Sequence, residues 1–250
     1  MDAGHPIAVK GGIGDFLQCL PFMLAHPECR YLVASHHDRV SQFFAAVGLQ
    51  VDELSLGKLG DVENCPRELF FTKNPFLIRT PIFGYNRPRV VGIHLGGSSY
   101  SVSVEKRFGF PSKELPLMIL EMLMTTVRGF DFILFGTLKE LSHAPSHWHR
   151  LKHLRLVNND DVTVSLSHVA ECCAFIGSDS AFKTMSAMLR IPTIVWVGNY
   201  QDIFRDEKFI NPYVEAGVMS LFRYSDLSVD DQVRAGVEFS LKRLREVIRA

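Results

Sequence analysis

Neither sign of charge dominates this sequence: 27 lysines and arginines offset 27 aspartates and glutamates, for a formal net charge of zero. No global field therefore draws the chain to nucleic acid or anionic lipid, and only a local basic groove stays open as a route to such a partner. Cysteine is sparse: the five present (Cys19, Cys29, Cys65, Cys172 and Cys173) are odd in number and contain no C-x-x-C. That fits neither a disulfide framework nor a structural zinc site, and a reducing compartment, the cytoplasm, is the expected location. Long apolar runs are missing too. The run from Leu115 to Met124 is interrupted by Pro116 and Glu121 and is too short to span a bilayer. The opening MDAGHPIAVKGG has no basic segment leading into an apolar one, so no secretory signal is expected. What the chain does have is 47% hydrophobic residues over 250 positions, enough to bury a sizeable core in one large α/β domain or two small ones.

Short apolar runs alternate with helix-period segments from end to end, the pattern of β-α-β units around a mostly parallel sheet. The fold class is therefore α/β. In the first part, Ile7 to Lys10 reads as a strand, Asp15 to about Ala25 as a helix, Tyr31 to Ser35 as a strand and Asp38 to Val47 as a helix. Val51 to Leu56 and Leu69 to Thr72 read as further strands, and Pro21 is expected to kink or restart the first helix. The loop PIFGYNRP marks a connection between lobes, so the boundary is placed at 88/89. In the second part the strands are Val90 to Leu95, Asp131 to Phe135, Leu154 to Val157, Ala174 to Gly177 and Thr193 to Val197, the last completing the sheet. Helices are expected at Leu115 to Val127, between Val162 and Cys173, at Ser180 to Leu189 and, with a stripe of Val229, Val233, Val237, Leu241, Leu244 and Ile248, over 228–250. The expected organisation is two Rossmann-like lobes, a short one at 1–88 and a larger one at 89–250, with a ligand in the cleft between their strand ends.

Both lobes open alike, with strand, glycine turn and helix. GGIGD at Gly11 to Asp15 is not a dinucleotide fingerprint, because Leu17 stands where a small residue is needed and Ser35-His36 stand where an acid would end the second strand. The turn does supply backbone that approaches a ligand closely, and Asp15, which serves either the ligand or simply the helix dipole. HLGGSSYSVSVEKR joins a strand end to free amides, four serines, Lys106 and Arg107, a set suited to a diphosphate or to a plain solvated loop. Ser178-Asp179-Ser180 precedes a helix whose amides suit a phosphate, with Lys183 adding charge, although Ser and Asp are ordinary caps. His143, His147, His149 and His153 crowd one segment with no Cys, Asp or Glu among them, which favours a solvated loop over a metal site. Cys172-Cys173 reads as core packing.

Taken in order, GGIGDFLQCLPFM (a Gly-Asp with Pro21 six residues on), VGIHLGGSS followed by KRFGFP, and VTVSLSHVAECCAFIGSDSAFKTMSAMLRIPTIVWVG resemble glycosyltransferase family 9, the lipopolysaccharide heptosyltransferases of the two-lobed GT-B fold. The departures are Ala181 in place of the family's glycine, Thr184 in place of a histidine, and His94-Leu95-Gly96 in place of H-P-G. The first lobe is also shorter than is usual for the family.

The resemblance implies inverting transfer of a sugar from a nucleotide diphosphate donor to an acceptor hydroxyl on a glycan or another molecule, with no cofactor; with no D-x-D between the lobes, and with cations and a helix end to carry the leaving charge, no metal is expected. It makes Asp15 the candidate base and assigns donor contacts to Gly12, Gly14, His94, Gly97, Ser98, Ser99, Lys106, Arg107, Phe135, Gly136, Asp179, Ser180, Ala181 and Lys183. Three rivals stand beside it: a GT-B enzyme glycosylating a modified base in DNA, which zero net charge disfavours; a non-catalytic nucleotide-sugar binder; and a sugar-nucleotide epimerase.

Overall fold

The computed structural model describes residues 6–35, 40–54, 70, 72, 74–77, 89–96, 115, 117–136, 138–142, 144–158, 162–197, 207–223 and 229–249. The first unit runs β1 (Ile7–Lys10), α1 (Ile13–Ala25), β2 (Tyr31–Ala34), α2 (Val40–Ala46) and β3 (Asp52–Leu54). Its strands form a parallel sheet in the order β1-β2-β3. The second unit runs β4 (Val90–His94), α3 (Met118–Thr126), β5 (Asp131–Gly136), α4 (Leu138–Leu141), a 3-10 turn (Ser146–Arg150), β6 (Leu154–Asn158), α5 (Val162–Ala170), β7 (Ala174–Gly177), α6 (Ala181–Met188), β8 (Thr193–Val197), α7 (Glu207–Glu215), β9 (Met219–Arg223) and α8 (Val229–Arg249). Its six strands are all parallel, in the order β6-β5-β4-β7-β8-β9. The boundary expected at 88/89 falls beside residues outside those described.

Strand alternation sorts the second core into two faces. Val91, Ile93, Phe132, Leu134, Ala174, Ile176, Ile194 and Trp196 pack under α3 and α8. Ile133, Phe135, Phe175, Val195 and Val197 face the other way, in one cluster with α6 and with Phe16, Leu17 and Leu20 of α1. The second face explains Gly92: a Cβ there would lie 2.9 Å from both Cys172 Sγ and the Phe175 ring.

Helix α6 is the middle of the molecule. Every residue from Phe182 to Leu189 is buried, the signature of a helix covered all round. One side meets the six-stranded sheet and another meets α1, whose residues from Ile13 to Phe22 include none that is exposed. Among the described residues the first unit has a three-stranded sheet and two helices, and the packing of α1 on α6 adds a wall to its core.

The sequence expectations fail in three places. Leu69 to Thr72 was read as a strand, but Phe70 and Thr72 belong to no sheet; Phe70 is buried and packs edge-on against Phe22 with ring centroids 5.4 Å apart. The second sheet does not end at β8, because α7 and β9 follow, hidden in the sequence by Asn211-Pro212 inside the helix. Of the kink or restart expected at Pro21, the restart is absent: α1 runs unbroken from Ile13 to Ala25.

The seat of α8 depends on one glycine. A Cβ at Gly236 would lie 2.3 Å from the Trp196 indole, which is fixed by Phe222 (centroids 5.1 Å) and by donating from Nε1 to Ser240 Oγ at 3.1 Å. Gly236→Ala gains about 0.5–1 kcal/mol of helix propensity but overpacks a buried ring at about 1–3 kcal/mol. A net loss of about 1–2 kcal/mol is expected in urea unfolding, and a more stable variant would show that the indole is free to swing.

Candidate functional site

Strand order locates the site before any side chain is considered. The chain lays β5 and β6 to one side of β4, then crosses back to lay β7 on the other, so β4 and β7 are neighbours whose connections leave in opposite directions. Open parallel sheets bind ligands outside the carboxyl ends of such strands. Here those ends are His94, with Leu95 and Gly96 after it, and Gly177, with Ser178-Asp179-Ser180 after it.

Two hydrogen bonds sew these ends together. The Ser178 amide donates to His94 O at 3.0 Å, and its hydroxyl donates to Gly96 O. Gly177 is required by this approach, since a Cβ there would stand 2.5 Å from His94 O. Helix α6 starts next. Ser180 is its N-cap but makes no side-chain cap bond, and Ser180 Oγ is buried with no hydrogen-bond partner among the described residues. Asp179 instead receives a bond from Nζ of Lys183, one turn on. Lys183 is only 4% exposed, so its ammonium is a buried charge matched by a carboxylate.

The first unit brings its own turn to the same place. Gly11 leaves β1 with φ +154°, its amide donating to Ala34 O at 3.1 Å and its carbonyl accepting from Ser35 Oγ at 3.0 Å. The Gly12 amide donates to Asp15 Oδ2 at 2.9 Å, folding the carboxylate back over the start of α1. That fold needs glycine at 11, because a Cβ there would lie 2.3 Å from Asp15 Oδ2. At Gly14 the two turns meet: a Cβ added there would be 3.9 Å from the Ala181 backbone N and Cα. Two helix N-termini, each carrying roughly half a positive charge, therefore converge at one mouth.

Gly12, Gly14, Asp15, His94, Asp179, Ser180 and Ala181 are thus brought to the mouth, with Lys183 just inside it. Phe135 and Gly136 close β5 alongside, but Phe135 is buried and stacks on Phe182 at 4.9 Å, beneath the mouth. Gly97, Ser98, Ser99, Lys106 and Arg107 lie outside the described residues. Phe182, which nothing in the sequence marks, packs against both His94 and Phe135. The histidine segment gathers no metal site: among the described residues no group of three or more His, Cys, Asp or Glu could hold an ion. His147, His149 and His153 are exposed around a buried Trp148. Cys172 is buried, and burial pushes its thiol well above the ordinary range, consistent with a packing role. No helix among the described residues is long and apolar enough to cross a membrane.

No protein-family description matches this chain, and no curated protein matches its sequence. Solved structures do match. The structure of E. coli ADP-heptose lipopolysaccharide heptosyltransferase II aligns with 98% of this chain and 98% of its own at 13% identity and a TM-score of 0.61. A glycosyl transferase family 9 protein from Veillonella parvula aligns over 99% and 98% at 10% identity and 0.60. The E. coli heptosyltransferase WaaC with ADP aligns over 96% and 100% at 11% identity and 0.59. The chain has the two-lobed fold of these glycosyltransferases, as its sequence motifs led one to expect.

His94 gives the site a pH signature. It is 5% exposed, its ring lies against Phe182 at 4.8 Å, and Nδ1 has no hydrogen-bond partner among the described residues. Burial lowers it from 6.5 to about 4. Between those values the unfolded chain takes up a proton that the folded chain refuses, so this contribution is absent above about pH 7 and destabilises as pH falls toward 4, by on the order of 3 kcal/mol. His94→Phe keeps an aromatic ring against Phe182 and should remove that component from the stability profile. Parallel profiles for the two proteins between pH 7 and 4 would refute the assignment.

Proposed function

We propose that this chain transfers a sugar from a nucleotide diphosphate donor to an acceptor hydroxyl with inversion, without a metal ion, in the cytoplasm. The observation that carries the reading is the convergence of the Gly11–Asp15 and Gly177–Ala181 turns at a parallel-sheet switch point, within a fold that heptosyltransferases share. The donor diphosphate lies against the N-terminal amides of α6, where aligned peptide dipoles favour negative charge, with Ser98, Ser99, Lys106 and Arg107 supplying the remaining contacts. Phe135-Gly136 borders the nucleoside, and Asp179 and Ser180 close around the donor. The acceptor comes from the side of the first unit, which presents Asp15.

In this reading Asp15 takes the acceptor proton as the oxygen attacks the anomeric carbon from the face opposite the departing diphosphate. The bond from the Gly12 amide fixes one carboxylate oxygen in place, the sort of positioning a general base requires. The helix-amide ends carry the charge that develops on the leaving group. A second reading, a nucleotide-sugar binder without turnover, draws support from Asp179, whose carboxylate is tied to Lys183, and from Ala181 in the position of a family glycine.

One substitution separates these readings. Asp15→Asn keeps size and still accepts the Gly12 amide bond, but cannot take a proton. If Asp15 is the base, kcat falls by about 10² to 10⁴ while donor affinity and melting temperature barely change. If it only complements the helix dipole, the cost is a few tenths to about 1 kcal/mol of stability, with turnover nearly intact. A thermal-shift screen of nucleoside diphosphates supplies the donor for this assay, since a ligand at 100 times its dissociation constant stabilises by about 2.7 kcal/mol. A parent that binds a sugar nucleotide yet neither transfers nor hydrolyses it would establish the binder instead.

A further inference from the structure

The residues 74–77 follow the first unit in sequence but are bonded to the second. The Leu77 amide donates to Met188 O at 2.9 Å, and the Tyr213 hydroxyl donates to Pro75 O at 3.3 Å. The Phe76 ring meets Tyr213 edge-on, with centroids 5.5 Å apart, and the Arg190 guanidinium lies 3.8 Å above its other face. Arg190 itself sits at φ +58°, in the left-handed region that non-glycine residues seldom adopt. Such a conformation persists only where its surroundings enforce it, and it turns the chain just after α6, where the guanidinium reaches Phe76.

Next to this anchor the units share one core. Phe16, Leu17 and Leu20 of α1 belong to the same buried apolar cluster as Met185 and Met188 of α6 and Ile210 and Tyr213 of α7. Units that move apart in function meet through polar, loosely packed surfaces. This interface is hydrophobic core instead, and separating α1 from α6 would expose the buried apolar side chains Phe16, Leu17, Leu20, Met185 and Met188 to water.

We propose that Asn74–Leu77 is a strap that locks the two units into one cooperative body, so that ligands reach the mouth at the strand ends without the units hinging apart. The inference does not depend on the proposed chemistry and is tested without a ligand.

Native-state hydrogen exchange gives the direct test. The Leu77 amide, whose acceptor is Met188 O of the other unit, is expected to exchange as slowly as the Ile133 amide in the middle of β5, because both require global unfolding. Exchange at Leu77 faster by 100-fold or more would show the units parting while the second sheet stays folded, and would overturn the proposal. A second readout uses the two tryptophans, Trp148 and Trp196, which both lie in the second unit. Val33→Ala, a mild truncation in the first sheet, should lower the urea midpoint seen by tryptophan fluorescence as much as the midpoint seen by far-ultraviolet circular dichroism. Phe76→Ala should accelerate Leu77 exchange at least tenfold. A tryptophan midpoint indifferent to Val33→Ala, with a separate earlier transition in circular dichroism, would mean that the units fold independently.

Discussion

The burial of α6 on all sides is the constraint from which the rest of the architecture follows. A helix wedged between a six-stranded sheet and α1 can keep polar side chains only if each finds a partner inside. Ser186 Oγ donates to Lys183 O at 2.9 Å and lies 2.9 Å from the Thr193 hydroxyl, while Lys183 is matched by Asp179. The Thr193–Ser186 bond also ties the helix to β8 and fixes it along its axis. The position of its first turn, and with it the mouth between β4 and β7, is therefore set by core packing rather than by a loop.

The first unit contributes more than a second wall. Its sheet has three strands among the described residues, far short of what a free-standing α/β domain uses, and its buried Phe16, Leu17 and Leu20 share a cluster with the second unit. The sequence leads one to expect two lobes facing a cleft. Where the described residues of the two units meet, Gly14 lies opposite Ala181 and buried apolar side chains of both units share one cluster. Gly11 and Gly177 stand where a carboxylate or a backbone carbonyl passes too closely for a side chain, whereas a Cβ at Gly14 would make ordinary contact with the Ala181 backbone.

Much of this was legible in the sequence, for physical reasons that can be named. AFIG and TIVWV are short apolar runs between polar turns, and the structure assigns them as strands with the same bounds; the buried stripe of α8 is likewise carried by Val233, Val237, Leu241 and Leu244. The glycine turns announced themselves because glycine clusters beside strand ends have few other uses. What stayed hidden depends on how helices cross. Gly14 against Ala181 and Phe182 over Phe135 join residues 167 and 47 positions apart, and no local period reports such contacts. Lys183 is a different case. Its i,i+4 spacing from Asp179 was visible from the start and is a standard helical ion-pair spacing, but reading the lysine as charge for a ligand passed over the nearer partner.

Among the described residues, opposite charges lie close together at the mouth. Two helix N-termini supply roughly one positive charge between them, and Asp15 and Asp179 face them with two negative ones. Lys183 balances Asp179 from within, and the Gly12 amide already engages Asp15. His94 adds nothing above about pH 4, because burial holds it neutral. Among the described residues, Ser180 Oγ and His94 Nδ1 are buried polar atoms with unmet hydrogen-bonding capacity. Neutral, uncompensated polar atoms of this kind suit the hydroxyls of a sugar or nucleoside better than a second anion. On the proposed reading, the cationic partners of a diphosphate are Lys106 and Arg107, which follow β4 in the sequence.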